Sequence, residues 1–457
     1  MDEPETTRPA LHRRVLSELG ILALIKSPFD VKLLCLQRFT RLFAYGASTL
    51  ILVAYLRELG HSRARSGLFM TLTLIGDVLL SFLLTLVADS VGRKAILSLG
   101  AVLMAGSGVV FATASNYWIL LAAAVVGVIS PAGNEIGPFR AIEESVVAHL
   151  TLAEERSDVY AWYNLIGSAG AALGMMACGW AVDGVMSKWG WTFIQAYRAT
   201  FAAYAAFGLV KLLFTLCLSS KVEAESKKRP ASGEADERTA LLDAENGATT
   251  AARAKKSFVR SLLPDISAES RRVTVMLCML FALDSFGSGL APMSWVTYYF
   301  RTRFDLDEGK LGSIFFTTNI IAGISVIVAS SISKRLGNVK TMVFTHLPSA
   351  VFLALIPLPS NPKLAVTFLV LRSCMQSMDS APKSAFLSTI LLPEERTSVM
   401  GAVNVVKTTA QSLGPLITGL LAGNGLFWVS FVCAGSFKAT YDLGLLAVFK
   451  GYERRQS

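Results

Sequence analysis

Apolar runs of about 20 residues recur along the whole 457-residue sequence, and each is long enough to cross a bilayer as a helix. A helix bonds its own backbone groups, which have no water to bond to in the bilayer core. Only 17% of the residues are charged, whereas a soluble domain carries about 25%. The sequence therefore predicts an all-α membrane protein.

Twelve membrane spans are predicted, six in each half of the chain. They are numbered 1 to 12 and lie at 32–56, 66–88, 95–114, 117–146, 158–182, 197–219, 272–300, 311–333, 340–358, 364–390, 398–421 and 426–449. The predicted organisation is an N-terminal tail (1–31), a six-helix bundle (32–219), a disordered linker (220–271), a second six-helix bundle (272–449) and a C-terminal tail (450–457). Lys and Arg are concentrated in the loops on the side of the termini, which predicts that both termini are cytoplasmic.

A charged motif occurs twice, ahead of span 5 and ahead of span 11. Its repeated residues are Glu154, Glu155, Arg156 and Asn164 in the first half, and Glu394, Glu395, Arg396 and Asn404 in the second. The spacing of 240 residues (394 minus 154) is one half of the molecule, so the chain is an internal duplication. Because six spans is an even number, the two halves enter the membrane in the same sense as parallel repeats.

The turn between spans 2 and 3 reads "LVADSVGRKAIL". It resembles the Asp-x-x-Gly-Arg-Lys signature of the major facilitator superfamily, and with the twelve spans the resemblance covers essentially the whole chain. The resemblance implies a secondary transporter that works by alternating access between two six-helix halves. We expect a conformational latch between the halves, formed by Asp89, Gly92, Arg93, Lys94, Arg156 and Arg396.

Within the superfamily the chain is similar to uncharacterised fungal and bacterial permeases near the drug:proton antiporter branch. Two positions depart from that branch. Span 4 has Ala124 where an Arg is usual, and the glycine run of span 5 contains Gly174-Met175 in place of Gly-Pro. The superfamily is therefore the firmer assignment, and the branch is the weaker one.

Charged residues inside the spans indicate a transport site, because a charge near the bilayer centre costs about 2.5–3.5 kcal/mol. Helical spacing places several polar residues on shared faces of spans 1, 7, 10 and 11. The predicted substrate-binding residues are Arg41, Tyr45, Trp295, Arg372, Gln376, Asp379, Asn404 and Lys407. Asp284 is the main candidate for proton coupling, with Arg41 as a partner, and Asp77 is the second candidate.

Seven charges lie well inside the spans, five of them basic (Arg41, Lys211, Arg372, Lys407 and Lys438) and two acidic (Asp77 and Asp284). This excess predicts an anionic or acid-bearing substrate with Arg372 as its main partner. Two of the basic residues also have simpler interpretations. Lys438 and Asp442 are four residues apart and are expected to pair with each other, and Lys211 either snorkels to the headgroups or serves the site.

The function predicted from these features is proton-coupled efflux of a small organic solute. Two alternatives stay open: an uptake permease for an anionic nutrient, and a receptor or scaffold that has lost transport. The four His have no metal-ligand spacing and no phosphate-binding loop occurs, so we expect no enzyme activity and no cofactor. The expected partners are the substrate, protons and the bilayer, with no nucleic acid, and the chain is expected to be a monomer.

The linker contains "ERTALL", in which Glu237, Leu241 and Leu242 form an acidic dileucine pattern. Such a pattern resembles a sorting signal to the vacuole or lysosome. The prediction favours the plasma membrane and keeps the vacuolar membrane as the second location. Imaging a tagged protein decides between them, and an unchanged location after replacement of Leu241 and Leu242 by Ala excludes the signal.

The latch gives the first testable prediction. Asp89→Asn removes a charge that is placed to interact with the positive N-terminal end of span 11. We expect the variant to express at the wild-type level and to transport more slowly, because the conformational cycle is slowed. Transport at the wild-type rate by a well-expressed variant would contradict the latch.

Overall fold

The computed structural model describes residues 21–127, 129, 138–152, 154–223, 268–391 and 395–449. Most of the N-terminal tail, most of the linker with its dileucine pattern, and the C-terminal tail lie outside these ranges. In the described part of the chain, eight helical segments are long and apolar enough to cross a membrane.

The described helices follow the predicted spans closely. In the first half they are α1 (Ile21–Lys26), α2 (Phe29–Glu58), α3 (Arg63–Val91), α4 (Arg93–Thr113), α5 (Tyr117–Val126), α6 (Pro138–Leu150), α7 (Arg156–Trp189) and α8 (Phe193–Leu216). In the second half they are α9 (Ala268–Leu290), α10 (Met293–Phe304), α11 (Glu308–Leu336), α12 (Asn338–Leu355), α13 (Pro362–Met375), α14 (Ser380–Ile390), α15 (Arg396–Gly423) and α16 (Phe427–Phe449).

Spans 4, 7 and 10 each comprise two helices, although continuous helices were predicted. In span 7 the helix ends before Pro292, which has no backbone N–H to donate. In span 10 the residues 376–379 form a turn with short-range bonds, such as Met378 N–H to Met375 O at 3.2 Å. Span 4 comprises α5 and α6, with residues outside the description between them.

Equivalent helices of the two halves pack in equivalent ways. Helix α2 contacts α7 and α8 in the first half, and α9 contacts α15 and α16 in the second. Likewise α4 packs on α8, and α12 packs on α16. The packing therefore has the six-plus-six symmetry that the repeated motif predicted.

The halves meet where α3 lies against α15 and where α7 lies against α11. Glycine allows this close approach. A Cβ atom on Gly67 would lie 2.4 Å from the Pro415 carbonyl oxygen, and one on Gly179 would lie 2.1 Å from the Glu308 carbonyl oxygen. Both contacts lie towards the side of the membrane opposite the described chain ends, which we call the far side. Small residues thus join the halves backbone to backbone there.

Candidate functional site

The first half contains a buried cluster of charges around Glu143, which we call the N-half cluster. Glu143 lies on α6 and is fully buried. Its Oε2 accepts from Arg41 Nη2 of α2 and from the Tyr163 hydroxyl of α7, both at 2.5 Å. The Lys211 ammonium of α8 lies 3.4 Å from Glu143 Oε1. One carboxylate thus connects four helices.

The sequence analysis missed Glu143. Its predicted span ended only three residues later, at 146, so Glu143 looked like a charge at the membrane surface. Helix α6 in fact continues to Leu150, which places Glu143 deeper. Lys211 neither snorkels nor faces solvent, because its side chain is 1% exposed beside Glu143.

The second half contains a larger cluster around Asp284, which we call the C-half cluster. The Lys438 ammonium of α16 donates to Asp284 Oδ1 at 2.7 Å and also to Ser288 Oγ at 2.7 Å. The Lys383 ammonium of α14 lies 2.6 Å from Asp379 Oδ2 and 3.6 Å from Asp284 Oδ2. Helices α9, α14 and α16 are therefore held together by charge.

Two predicted pairings were wrong. Lys438 pairs with Asp284, not with Asp442, which instead accepts from His346 Nδ1 of α12. Arg41 pairs with Glu143, while the ion pairs of Asp284 are made with residues of its own half. The first prediction paired residues that are close in sequence, and the second paired spans that are related by the repeat. In both cases the actual partner lies on another helix of the same half.

The two clusters occupy matching spans of the duplicated fold. The matching residues are Arg41 and Asp284 on spans 1 and 7, Glu143 and Lys383 on spans 4 and 10, and Lys211 and Lys438 on spans 6 and 12. Glu143 and Lys383 are 240 residues apart, the spacing of the repeat. The signs are exchanged on the first two pairs of spans, so each half keeps its own opposite charges together.

Asp77, Arg372 and Lys407 lie within the spans, and none of them forms an ion pair with another described residue. Both carboxyl oxygens of Asp77 are buried and accept no hydrogen bond from any described residue. The Arg372 guanidinium forms no hydrogen bond or ion pair with the described residues. Lys407 has no described acid within ion-pair distance, and its ammonium lies 5.6 Å from the centre of the Phe281 ring.

The remaining substrate candidates lie in different surroundings. Tyr45 is buried, Gln376 is half-buried and Asn404 is exposed. Trp295 is fully buried in an aromatic cluster, with ring centroids 5.8 Å from Tyr298 and 5.4 Å from Phe427. Its role in substrate binding stays a prediction. No group of His, Cys, Asp or Glu in the described ranges is arranged to hold a metal ion.

The signature turn between α3 and α4 bends at Gly92, in a backbone conformation that favours glycine. Gly92 has a φ of 104°, which a side chain would strain. The backbone N–H groups of Arg93 and Lys94 donate to the Glu223 carboxylate at 2.7 and 3.1 Å, so an acid lies at the positive end of α4. The Lys94 ammonium donates to the carbonyl of Leu216, the last residue of α8, at 2.9 Å.

Arg156, the first latch residue of the repeated motif, donates from Nη2 to the Thr151 carbonyl at 3.4 Å. The side chains of Asp89 and Arg396 lie outside the description. The bond between the halves that the latch requires is therefore untested and stays a prediction.

The far side carries an ionic contact between the halves, which we call the far-side gate. Arg301 of α10 lies 2.7 Å from Glu308 of α11 and 3.7 Å from Glu58 of α2. The Tyr197 hydroxyl of α8 donates to Glu308 at 2.6 Å. The Gly309 N–H at the start of α11 donates to Asp183 of α7 at 2.8 Å. Buried charges and backbone bonds thus close this side.

Twelve span positions, a duplicated six-helix packing and paired charges inside the bilayer are features of a membrane carrier. The sequence matches the Major Facilitator Superfamily over residues 34–371 and 277–450, and the chain belongs to that family. It is a membrane transporter and not an enzyme.

A relative in Saccharomyces cerevisiae (strain S288c), the uncharacterized membrane protein YJR124C, is 36% identical over 429 residues. The match covers 93% of this chain and 95% of the yeast protein.

Solved structures share the fold. The nucleoside transporter NupG is 16% identical with a TM-score of 0.65, covering 93% of this chain and all of that one. A D-xylose-proton symporter is 15% identical with a TM-score of 0.66, covering 91% of this chain and 97% of that one. At these identities the likeness shows the architecture alone.

The N-half cluster gives the second prediction. Glu143→Gln keeps the shape of the side chain but leaves Arg41 and Lys211 without their buried counter-charge. Removal of one partner of a buried ion pair costs about 3–5 kcal/mol. We expect a large loss of thermal stability, measured by unfolding of the purified protein in detergent.

The matched control is Glu144→Gln. Glu144 is the next residue, its side chain is 30% exposed, and it pairs with Arg140 at 2.7 Å on the same helix. An exposed pair of this kind contributes about 0.5 kcal/mol or less. Equal unfolding temperatures for the two variants would show that Glu143 does not stabilise the bundle.

Proposed function

We propose that this transporter couples proton movement to the efflux of a small organic anion by alternating access. The observation that carries the proposal is the unpaired Arg372 guanidinium inside span 10. The charge lies ten residues from the start of α13 at Pro362, which is roughly 15 Å along the helix, about half of a 30 Å core.

An unpaired guanidinium at this depth is costly unless a ligand supplies the opposite charge. Its fork of donors matches a carboxylate or phosphate group. Lys407 of α15 is the second cation without a described acid partner, and it would add to the attraction. These two residues support an anionic substrate, and Gln376 and Asn404 supply further polar groups on the same two helices.

Proton coupling is proposed at Asp284 and Asp77, and the two carboxyls differ in their surroundings. Asp77 is buried without a described partner, an environment in which the neutral form of a carboxyl costs less than the charged one. Asp284 is held as a carboxylate site by Lys438 and Lys383. Binding of a proton there would release Lys438 from its ion pair, whereas Lys383 would keep Asp379, so that protonation changes the charge facing the substrate path.

The contacts between the halves support alternating access. The far-side gate joins the halves at one end, and the latch residues are proposed to join them at the other. Efflux is proposed over uptake because the sequence resembles exporters. The plasma membrane is the proposed location, and the dileucine pattern favours the vacuolar membrane as the alternative.

Transport of an anion is tested with membrane vesicles that contain the purified protein. Labelled organic anions, neutral solutes and cations are assayed with and without a pH gradient. We expect gradient-dependent flux of an anion. We also expect Arg372→Ala to lower that flux at least about tenfold, since a hydrogen-bonded charge contributes about 1.5–3 kcal/mol.

Lys363→Ala is the matched control, because Lys363 is a fully exposed cation on the same helix. Full activity of the Arg372 variant, or a neutral or cationic solute as the best substrate, would exclude the anion site. An absence of gradient-dependent flux for every class would favour the receptor or scaffold.

Coupling is tested by comparison of counterflow, which needs no net proton movement, with gradient-driven transport. Asp284→Asn is expected to keep counterflow and to lose gradient-driven transport. Asp77→Asn distinguishes the second site by the same pair of assays. Survival of both activities in a variant would exclude that carboxyl as the coupling group.

A further inference from the structure

His346 lies on α12 between two carboxylates that come from different helices. Its ring is buried, with 4% of the residue exposed. Its Nδ1 lies 3.0 and 2.9 Å from the two carboxyl oxygens of Asp442 on α16. Its Nε2 lies 3.8 Å from Asp284 Oδ1 on α9. One imidazole therefore connects Asp442 with the proposed proton site.

The hydrogen bond to Asp442 decides which ring nitrogen carries the proton. An ionised carboxylate accepts but does not donate, so we infer the tautomer that has its hydrogen on Nδ1 and donates it to Asp442. The lone pair of the neutral ring is then on Nε2, directed at Asp284. A proton that arrives at Nε2 lies between the ring and the Asp284 carboxylate.

The charges around the ring favour such a proton. The acids that face it are Asp442, Asp284 and Asp379, and the nearby bases are Lys438 and Lys383. Lys407 is a third base, because it interacts electrostatically with Asp284 and Asp379, and Tyr441 adds an edge-on ring contact 5.9 Å from the imidazole. The groups that lie at the two ring nitrogens themselves are the carboxyls of Asp442 and Asp284, and their negative charges would stabilise an imidazolium between them.

Lys438 and His346 approach the same oxygen of Asp284. The Lys438 ammonium is 2.7 Å from Oδ1 and His346 Nε2 is 3.8 Å from it. A closing movement of about 1 Å would bring Nε2 to hydrogen-bond distance. The Lys438 ammonium also donates to Ser288 Oγ at 2.7 Å, so it keeps one hydrogen-bond partner when His346 binds Asp284.

We propose that Asp442, His346 and Asp284 form a proton relay. A proton binds His346 Nε2 and passes to Asp284 Oδ1, and the ring returns to its neutral form with Nδ1–H still bonded to Asp442. The new O–H neutralises Asp284, which releases the Lys438 ammonium from its ion pair and makes its charge available to the anionic substrate, while Lys383 stays paired with Asp379. The inference deepens the proposed function, on which it rests, by explaining how an ion-paired Asp284 receives its proton.

The relay is tested first without any substrate, by NMR of the full-length protein in lipid nanodiscs with labelled histidine. The chain has only four His, at positions 12, 61, 149 and 346. The His346 signal is identified by its loss in His346→Asn. The control is His149→Asn, because His149 is exposed at the end of α6.

We expect the nitrogen shifts of His346 to show the Nδ1–H form at high pH and the doubly protonated form at lower pH. In Asp442→Asn the preference for hydrogen on Nδ1 should be lost, because the carboxylate that accepts from it is gone. A His346 ring that stays in one form from pH 5 to 8, or that has its hydrogen on Nε2 at high pH, would overturn the relay.

The second test uses the two transport assays. His346→Asn and Asp442→Asn should both keep counterflow and lose gradient-driven transport, as Asp284→Asn does, whereas His149→Asn should keep both. Gradient-driven transport at the wild-type rate in either relay variant would exclude the relay. If the wild-type protein moves no solute, the proposed function fails, and the NMR titration still decides whether the relay exists.

Discussion

The rest of the structure depends on the need to pair charges that are buried in the bilayer. Glu143 and Asp284 each take counter-charges from other helices of their half, and Lys211 and Lys438 extend inward from the last span of each half. An ion pair of this kind fixes the rotation of both helices about their axes, because either charge alone would be left unpaired. The apolar residues determine that the helices lie in the membrane, and the charges determine which faces meet.

The exchange of sign between the halves has a physical reason within a duplicated fold. A carboxylate at 143 and an ammonium at 383 occupy the same position of the repeat. Either sign is acceptable there if the residues on the neighbouring spans change with it, as Arg41 and Asp284 do. The constraint acts on the presence of opposite charges within each cluster and not on the identity of one residue, so the halves could diverge while both stayed folded.

Much of the fold could be predicted from the sequence, because apolar length and the repeated charged motif are local signals. The all-α class, the positions of the spans and the equivalence of the halves all rest on such signals. The site was predicted less well. Arg372, Asp77 and Asp284 were identified as intramembrane charges, but their partners depend on packing between distant residues. His346 was passed over for that reason, because its importance lies in Asp442, 96 residues away.

The interruption in span 7 also shows the limit of local signals. Pro292 indicates a break in the helix, but a continuous span was predicted there because the apolar run continues through it. The turn at 376–379 is followed by Pro382 in the first turn of α14, and this proline has no backbone N–H to donate to the Met378 carbonyl. Both breaks lie on spans that carry proposed site residues.

The break before Pro292 has a mechanical consequence. The last carbonyl of α9, at Leu290, accepts from Thr418 Oγ1 at 2.6 Å, so the upper end of α9 is fastened to α15 of its own half. The next helix, α10, packs against α2 of the other half. Helix α10 also packs on α16 of its own half, through Trp295 and Phe427, so it lies between the two halves. Opening of the far side would require α10 to part from α2, and the break before Pro292 permits this movement without disturbing the bond between α9 and α15.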